Sequence, residues 1–162
     1  MENPSDQYDS SSQSEPEEQE EALPIQLLGY MVNRLTARMN QRWLRELRPY
    51  GLTVPRWQVL SVLSAVDGAR VGQIADMSGQ EQPVVSRLID QMQRDDLVER
   101  RKSERDSRVT EVWLLPAGRE LLDQLGPAAL TYIDEMTAPL TPQEQAALIS
   151  ALGKLMGTLE FD

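Results

Sequence analysis

Apolar residues recur at helical spacing along most of this chain and alternate at strand spacing in one short region. Ile25, Leu28, Val32, Leu35 and Met39 return every three or four residues, and the stripe then shifts to Trp43, Leu44 and Leu47. That spacing predicts one helix over 25–48, ended by Pro49, Tyr50 and Gly51. A helix of this length runs about 36 Å, longer than a small domain needs. Its other side carries Arg34, Arg38, Arg42 and Arg45, which read as a solvated face.

Thr53 is placed to cap a second helix over 55–66, with Trp57, Leu60, Val62 and Leu63 on its apolar side. Asp67 and Gly68 signal a turn. A short helix over 71–77 turns Ile74 and Ala75 inward, and Gly79 suits a left-handed cap after it. The next helix is predicted over 82–94, with Pro83 in its first turn, where a missing N–H costs nothing. Val85, Leu88, Ile89 and Met92 form its buried stripe. Ser86, Arg87, Asp90, Gln93 and Arg94 lie elsewhere on its surface.

Residues 97–101 and 109–114 read as two strands. In the second, Val109, Glu111 and Trp113 alternate with Thr110, Val112 and Leu114. The connection 102–108 is polar and charged throughout. From Pro116 a helix extends to about Thr137, with Gly126 and Pro127 as an expected kink. Thr141, with Glu144 three positions on, marks the start of a last helix whose Leu148, Leu152, Leu155 and Leu159 form a stripe.

The expected fold is therefore mainly α with a small β-hairpin wing: a winged helix-turn-helix over 51–116 between an N-terminal helix at 25–50 and C-terminal helices at 117–162. A domain of this size cannot easily bury both terminal stripes within itself. The expectation is that they build a dimer interface, since two-fold symmetry lengthens the DNA site such a module reads.

Composition narrows the chemistry. The 162 residues include no cysteine and no histidine, which excludes disulfides and thiol redox sensing and removes the commonest general base and metal ligand. No cofactor or metal is expected. No apolar run reaches the length of a bilayer span and no signal-peptide pattern opens the chain, so the reading is a soluble, cytoplasmic protein without a membrane partner. The net charge of −10 runs against nucleic-acid binding until it is located. Residues 1–24 hold eight acidic and no basic residues, leaving 16 basic against 18 acidic, a net of −2, for 25–162. That first segment reads as a disordered acidic tail, or more sharply as an arm competing with DNA for a basic surface. Arg100, Arg101, Lys102, Arg105 and Arg108 face only Glu104 and Asp106 within 100–108, a local +3. Local field matters most where a phosphate is approached.

The block from Leu52 to Leu125 resembles the MarR family of winged helix-turn-helix transcription regulators. The segments that carry the likeness are LTVPRWQVLSVL (52–63), IADMSGQEQPVVSRLIDQM (74–92), DLVERR (96–101), DSR (106–108) and LLPAG (114–118). The run Glu81, Gln82, Pro83 is similar to the SlyA-like branch. The resemblance implies a homodimer with intertwined terminal helices that binds a pseudo-palindromic operator on double-stranded DNA. It also implies a recognition helix at about 82–94 and a wing motif at Asp106 and Arg108, the arginine entering the minor groove and the aspartate orienting the wing. Many members are repressors released by a small aromatic or phenolic effector. Three positions depart from the family pattern. Ser107 stands where many relatives carry a second arginine. Leu115 replaces a capping threonine, a loss of about 1 kcal/mol. Asp95 and Asp96 add negative charge behind the recognition helix.

The residues expected to meet DNA are Gln82, Val84, Ser86 and Arg87 on the helix and Lys102, Arg105, Asp106 and Arg108 on the wing. Arg87 is placed for a base or phosphate contact, Gln82 and Ser86 for phosphates or base edges, and Val84 for a thymine methyl. Trp43 and Trp57 are candidates for an aromatic effector pocket, although tryptophans at such spacing are more often core. The alternative reading is a winged-helix protein-interaction module with weak DNA affinity. Catalysis is not expected, because the carboxylate pairs Asp95/Asp96 and Glu104/Asp106 are ordinary turn charges.

Overall fold

The computed structural model describes residues 27–158. The acidic tail, Ile25 and Leu159 lie outside the described residues. The chain divides into one unit ending at Leu35 and another beginning at Thr36. Helix α1 covers Leu27–Leu47 and passes through a single 3-10 turn at Arg48–Tyr50 into Gly51, which takes the left-handed conformation. Then follow α2 (Val54–Ala65), β1 (Ala69–Arg70), α3 (Val71–Ser78), α4 (Gln82–Arg94), β2 (Val98–Lys102), β3 (Thr110–Leu114), α5 (Pro116–Thr137) and α6 (Pro142–Thr158).

In the first unit, α1 leaves Leu27, Leu28, Tyr30, Met31 and Leu35 exposed. Arg34 lies over the Tyr30 ring and donates to its hydroxyl at 3.2 Å.

The second unit is built on one apolar core. Trp43 and Leu47 join Leu52, the α2 residues Val59, Leu60 and Leu63, Ile74 of α3, and Val85, Ile89 and Met92 of α4; Val98, Val112 and Leu125 also belong to it. Each side chain of this size contributes about 1.5–3 kcal/mol on burial. The buried positions of α4, at spacings of 4 and 3, define one face, so Val84, Arg87 and Arg94 point outward.

The sheet order is β1-β3-β2, all antiparallel. The β2–β3 register runs from Val98 opposite Leu114 to Lys102 opposite Thr110. The third strand corrects the two-stranded expectation: Ala69 and Arg70, at the end of an expected turn, pair with Val112 and Glu111 of β3. Two residues are too few to show a period, and their partners lie far along the chain.

Helix α5 is unbroken from Pro116 to Thr137 with Pro127 inside it. Leu115 precedes it without a side-chain cap bond. Gly118 sits against the backbone of the α4–β2 connection, where a Cβ would lie 2.3 Å from the Leu97 carbonyl oxygen. Helix α6 begins with a reciprocal cap: Thr141 N–H and hydroxyl donate to Glu144 Oε2 at 2.7 and 2.8 Å, and Glu144 N–H donates to Thr141 Oγ1 at 3.3 Å. No residue of α6 is buried; Leu148, Leu152 and Leu155 are all exposed, and Ile149 is 72% so.

Candidate nucleic-acid interface

Helix α4 is held by its core face and presents the other. Gln82, Val84 and Arg87 are exposed, and Ser86 is half-buried. Pro83 opens the helix, and the N–H groups of Val84 and Val85 both donate to Glu81 O, at 2.9 and 3.0 Å. Behind α4, Asp95 pairs with Arg56 of α2 at 2.5 Å, so one of the two turn acids is offset by a cation. Asp96 takes φ 56°, a left-handed turn that Asp tolerates better than most residues.

The wing tip is ordered by its own side chains. Ser103 is buried, and its backbone N–H donates to Val109 O at 2.9 Å. Ser103 Oγ accepts from Arg105 N–H at 3.4 Å, and Asp106 Oδ1 accepts from Arg108 N–H at 3.0 Å. Each arginine is thus held at its backbone by a residue two positions earlier, leaving its guanidinium outside. Asp106 contacts the wing loop through the Arg108 backbone.

The five basic residues of 100–108 divide into two groups. Arg100 pairs with Asp90 of α4 and donates to Ser86 O and Ser86 Oγ at 3.3 and 3.2 Å. Arg101 pairs with Glu99 and lies 5.2 Å from the Trp113 ring centroid. The hydrogen bond to Glu99 holds the Arg101 guanidinium above its ordinary pKa, against a smaller opposing effect of desolvation. Among the described residues, no carboxylate pairs with Lys102, Arg105, Arg108 or Arg87. Beneath the wing lies a cleft of about 500 Å³, bordered by Arg70, Arg101, Lys102 and Arg105 but also by Asp67 and Glu111. The partnership of Arg100 with Asp90 and Ser86 escaped sequence reasoning, since no local spacing links strand and helix.

The two tryptophans take different places. Trp43 is in the core, edge-on to Trp57 at 5.3 Å and 5.4 Å from Tyr132. Trp57 is half-buried and, with Ser61, Leu122, Gly126, Leu130 and Ile133, borders an open, mostly apolar cavity of about 360 Å³. Arg42, read as solvated, lies over Tyr132 and pairs with Glu135.

Similarity to known proteins agrees with this geometry. The family model described as MarR family matches residues 50–109, from the end of the 3-10 turn after α1 through the wing loop. A MarR family transcriptional regulator of known structure from Silicibacter pomeroyi is 32% identical, with a TM-score of 0.74 over 83% of this chain and 91% of that one. The chain belongs to the MarR family. It is a DNA-binding transcription regulator of that family, not an enzyme, and its fold is the MarR winged helix-turn-helix with N- and C-terminal helices. Two further relatives are 27% identical. The uncharacterized HTH-type regulator YsmB of Bacillus subtilis aligns over 76% of this chain and 85% of its own length. The HTH-type repressor IacR of Pseudomonas putida aligns over 59% and 58%.

Proposed function

We propose that this MarR protein is a cytoplasmic, homodimeric repressor of the SlyA-like branch that binds a pseudo-palindromic operator. In this reading α4 enters the major groove with Gln82, Val84, Ser86 and Arg87, and the wing brings Lys102, Arg105 and Arg108 to the minor groove and phosphates. The observation that carries it is the wing tip: Arg105 and Arg108 are fixed at the backbone while their charges stay unpaired, beside a helix whose outer face is exposed. The net charge of the whole chain does not oppose this, because 102–108 holds three basic residues against two acidic ones.

Dimerisation is supported by apolar side chains that the chain leaves uncovered. Leu130, Ile149 and Met156 are 69%, 72% and 67% exposed, and large exposed apolar patches mark interaction sites. Release by a small aromatic effector is supported by the cavity beside Trp57, with its apolar walls and the hydroxyl-bearing Ser61 and Ser64. The repressor role draws on the likeness to IacR.

The test is an anisotropy titration of the full chain against its own upstream DNA at two salt concentrations, with sedimentation equilibrium alongside. A steep salt dependence and a dimer are expected. A flat dependence would favour a protein-interaction module, and a monomer would end the two-half-site reading. Thermal-shift measurements with aromatic carboxylates, repeated on Trp57→Ala, test the effector cavity.

A further inference from the structure

We infer that Arg100 is a positioning residue for DNA binding: from the wing, it commits the Ser86 hydroxyl on α4 to donate outward, and it offsets the Asp90 charge on the same helix. The inference rests on the proposed role of α4 as the recognition helix.

Ser86 and Asp90 are one helical turn apart and share the flank of α4 that borders β2. Arg100 reaches both from β2: one guanidinium nitrogen pairs with Asp90, and the other donates to Ser86 O and Ser86 Oγ. A guanidinium has donors and no acceptor, whereas a hydroxyl has one proton and two lone pairs. Ser86 Oγ therefore accepts from Arg100, and its own proton must go elsewhere. A helical hydroxyl usually turns that proton back to a carbonyl in the preceding turn. Ser64, Ser78, Thr137 and Thr158 do so in this chain. Ser86 does not, among the described residues, so its proton is left for an acceptor outside the protein. On the β2-side flank of a recognition helix, beside the wing, that acceptor is a phosphate oxygen or a base edge.

The carboxylate of Asp90 on the same flank would repel phosphate if it stood alone. Arg100 offsets it and, being engaged there, adds no phosphate contact of its own. This separates Arg100 from Lys102, Arg105 and Arg108, although all four lie within nine residues. Each phosphate-neutralising side chain steepens the salt dependence of binding by about one unit in log–log slope.

The experiment is a salt series of anisotropy titrations on Arg100→Ala, Ser86→Ala, the double variant, Arg108→Ala and Arg87→Ala, with wild type throughout. Ser86→Ala is expected to weaken binding roughly tenfold, about one hydrogen bond to a charged group, with the wild-type salt slope. Arg100→Ala is expected to weaken it by at least as much, because it also uncovers Asp90. The double variant is expected to lose little more than Arg100→Ala alone. Arg108→Ala is expected to flatten the slope. Arg100→Lys keeps the charge opposite Asp90 without the fork. Paired with Ser86→Ala, it provides the same cycle if Arg100→Ala does not fold. A slope flattened by Arg100→Ala, additive losses, or full affinity in both single variants would each overturn the inference. If Arg87→Ala also leaves affinity untouched, the recognition-helix reading has failed; if Arg87→Ala weakens binding while Arg100→Ala does not, only the present inference has.

Discussion

The backbone N–H of Arg108 donates to Asp106 Oδ1 at 3.0 Å, which makes an acidic side chain a structural part of the loop that carries Arg105 and Arg108. Charge alone predicts that losing Asp106 should tighten DNA binding. The bond predicts the reverse, because the loop that aims Arg108 would loosen. Asp106→Asn keeps the acceptor and removes the charge, so it should bind DNA as well as wild type or better. Asp106→Ala removes both and should bind several-fold more weakly, the size of one modest hydrogen bond of about 1 kcal/mol. Anisotropy on both variants decides, and equal tightening in both would show that only the charge matters.

Arg108→Ala should weaken binding at low salt and reduce the salt slope by about one. Its stability should change by no more than about 0.5 kcal/mol, because the side chain touches neither core nor cap. Arg87→Ala, on the outer face of α4, should instead relax discrimination between operator and altered operators. Titrations against a small set of mutated sites read the difference; a uniform loss across them would mark Arg87 as a phosphate contact.

Gly118 is required where α5 meets the turn after α4. An added Cβ would stand 2.3 Å from Leu97 O and 3.2 Å from the Leu114 side chain. Leu97 O also accepts from Leu115 N–H at 3.0 Å, so it cannot move freely. Gly118→Ala should cost about 1–3 kcal/mol, the range for overpacking a tight site, in chemical denaturation. A midpoint equal to wild type would mean the helix shifts without cost.

Glu144 gives α6 a pH dependence. The Thr141 N–H and then its hydroxyl hold the Glu144 carboxyl below its ordinary pKa of 4.5, more than desolvation raises it. A carboxyl with a lower pKa in the folded state binds protons less readily there than in the unfolded chain. Its contribution is therefore full above the ordinary value and is lost as pH falls through the folded value. Glu144→Gln should remove this component while keeping an acceptor for the cap. Melting temperatures of both proteins between neutral pH and pH 3 should converge at the acid end; a constant gap would show that the carboxylate's charge is not involved.

Helices were legible because their apolar faces are periodic over many residues. The bounds of α4 and α5 follow from Pro83 and Pro116 near their starts and from stripes such as Val85, Ile89 and Met92. The two-residue strand Ala69–Arg70 was not legible, because its existence depends on Val112 and Glu111 across the fold. At the candidate interface, residue types and their clustering on the wing could be read, but their pairing could not. Five cations look equivalent in the sequence; only the fold brings Asp90 to Arg100 and Glu99 to Arg101 and leaves the others outside.

The order of amino acids by itself determined the helices and the two strands of the hairpin, since period, caps and turn residues act over a few neighbours. It also set the local charge of the wing, because composition along a short loop needs no fold to be counted. The tertiary structure alone decided which cations stay unpaired, which tryptophan borders a cavity, and which helical hydroxyl accepts from an arginine on the wing. Those outcomes depend on groups distant in the chain meeting within a few ångströms, where a hydrogen bond or ion pair forms or fails to form.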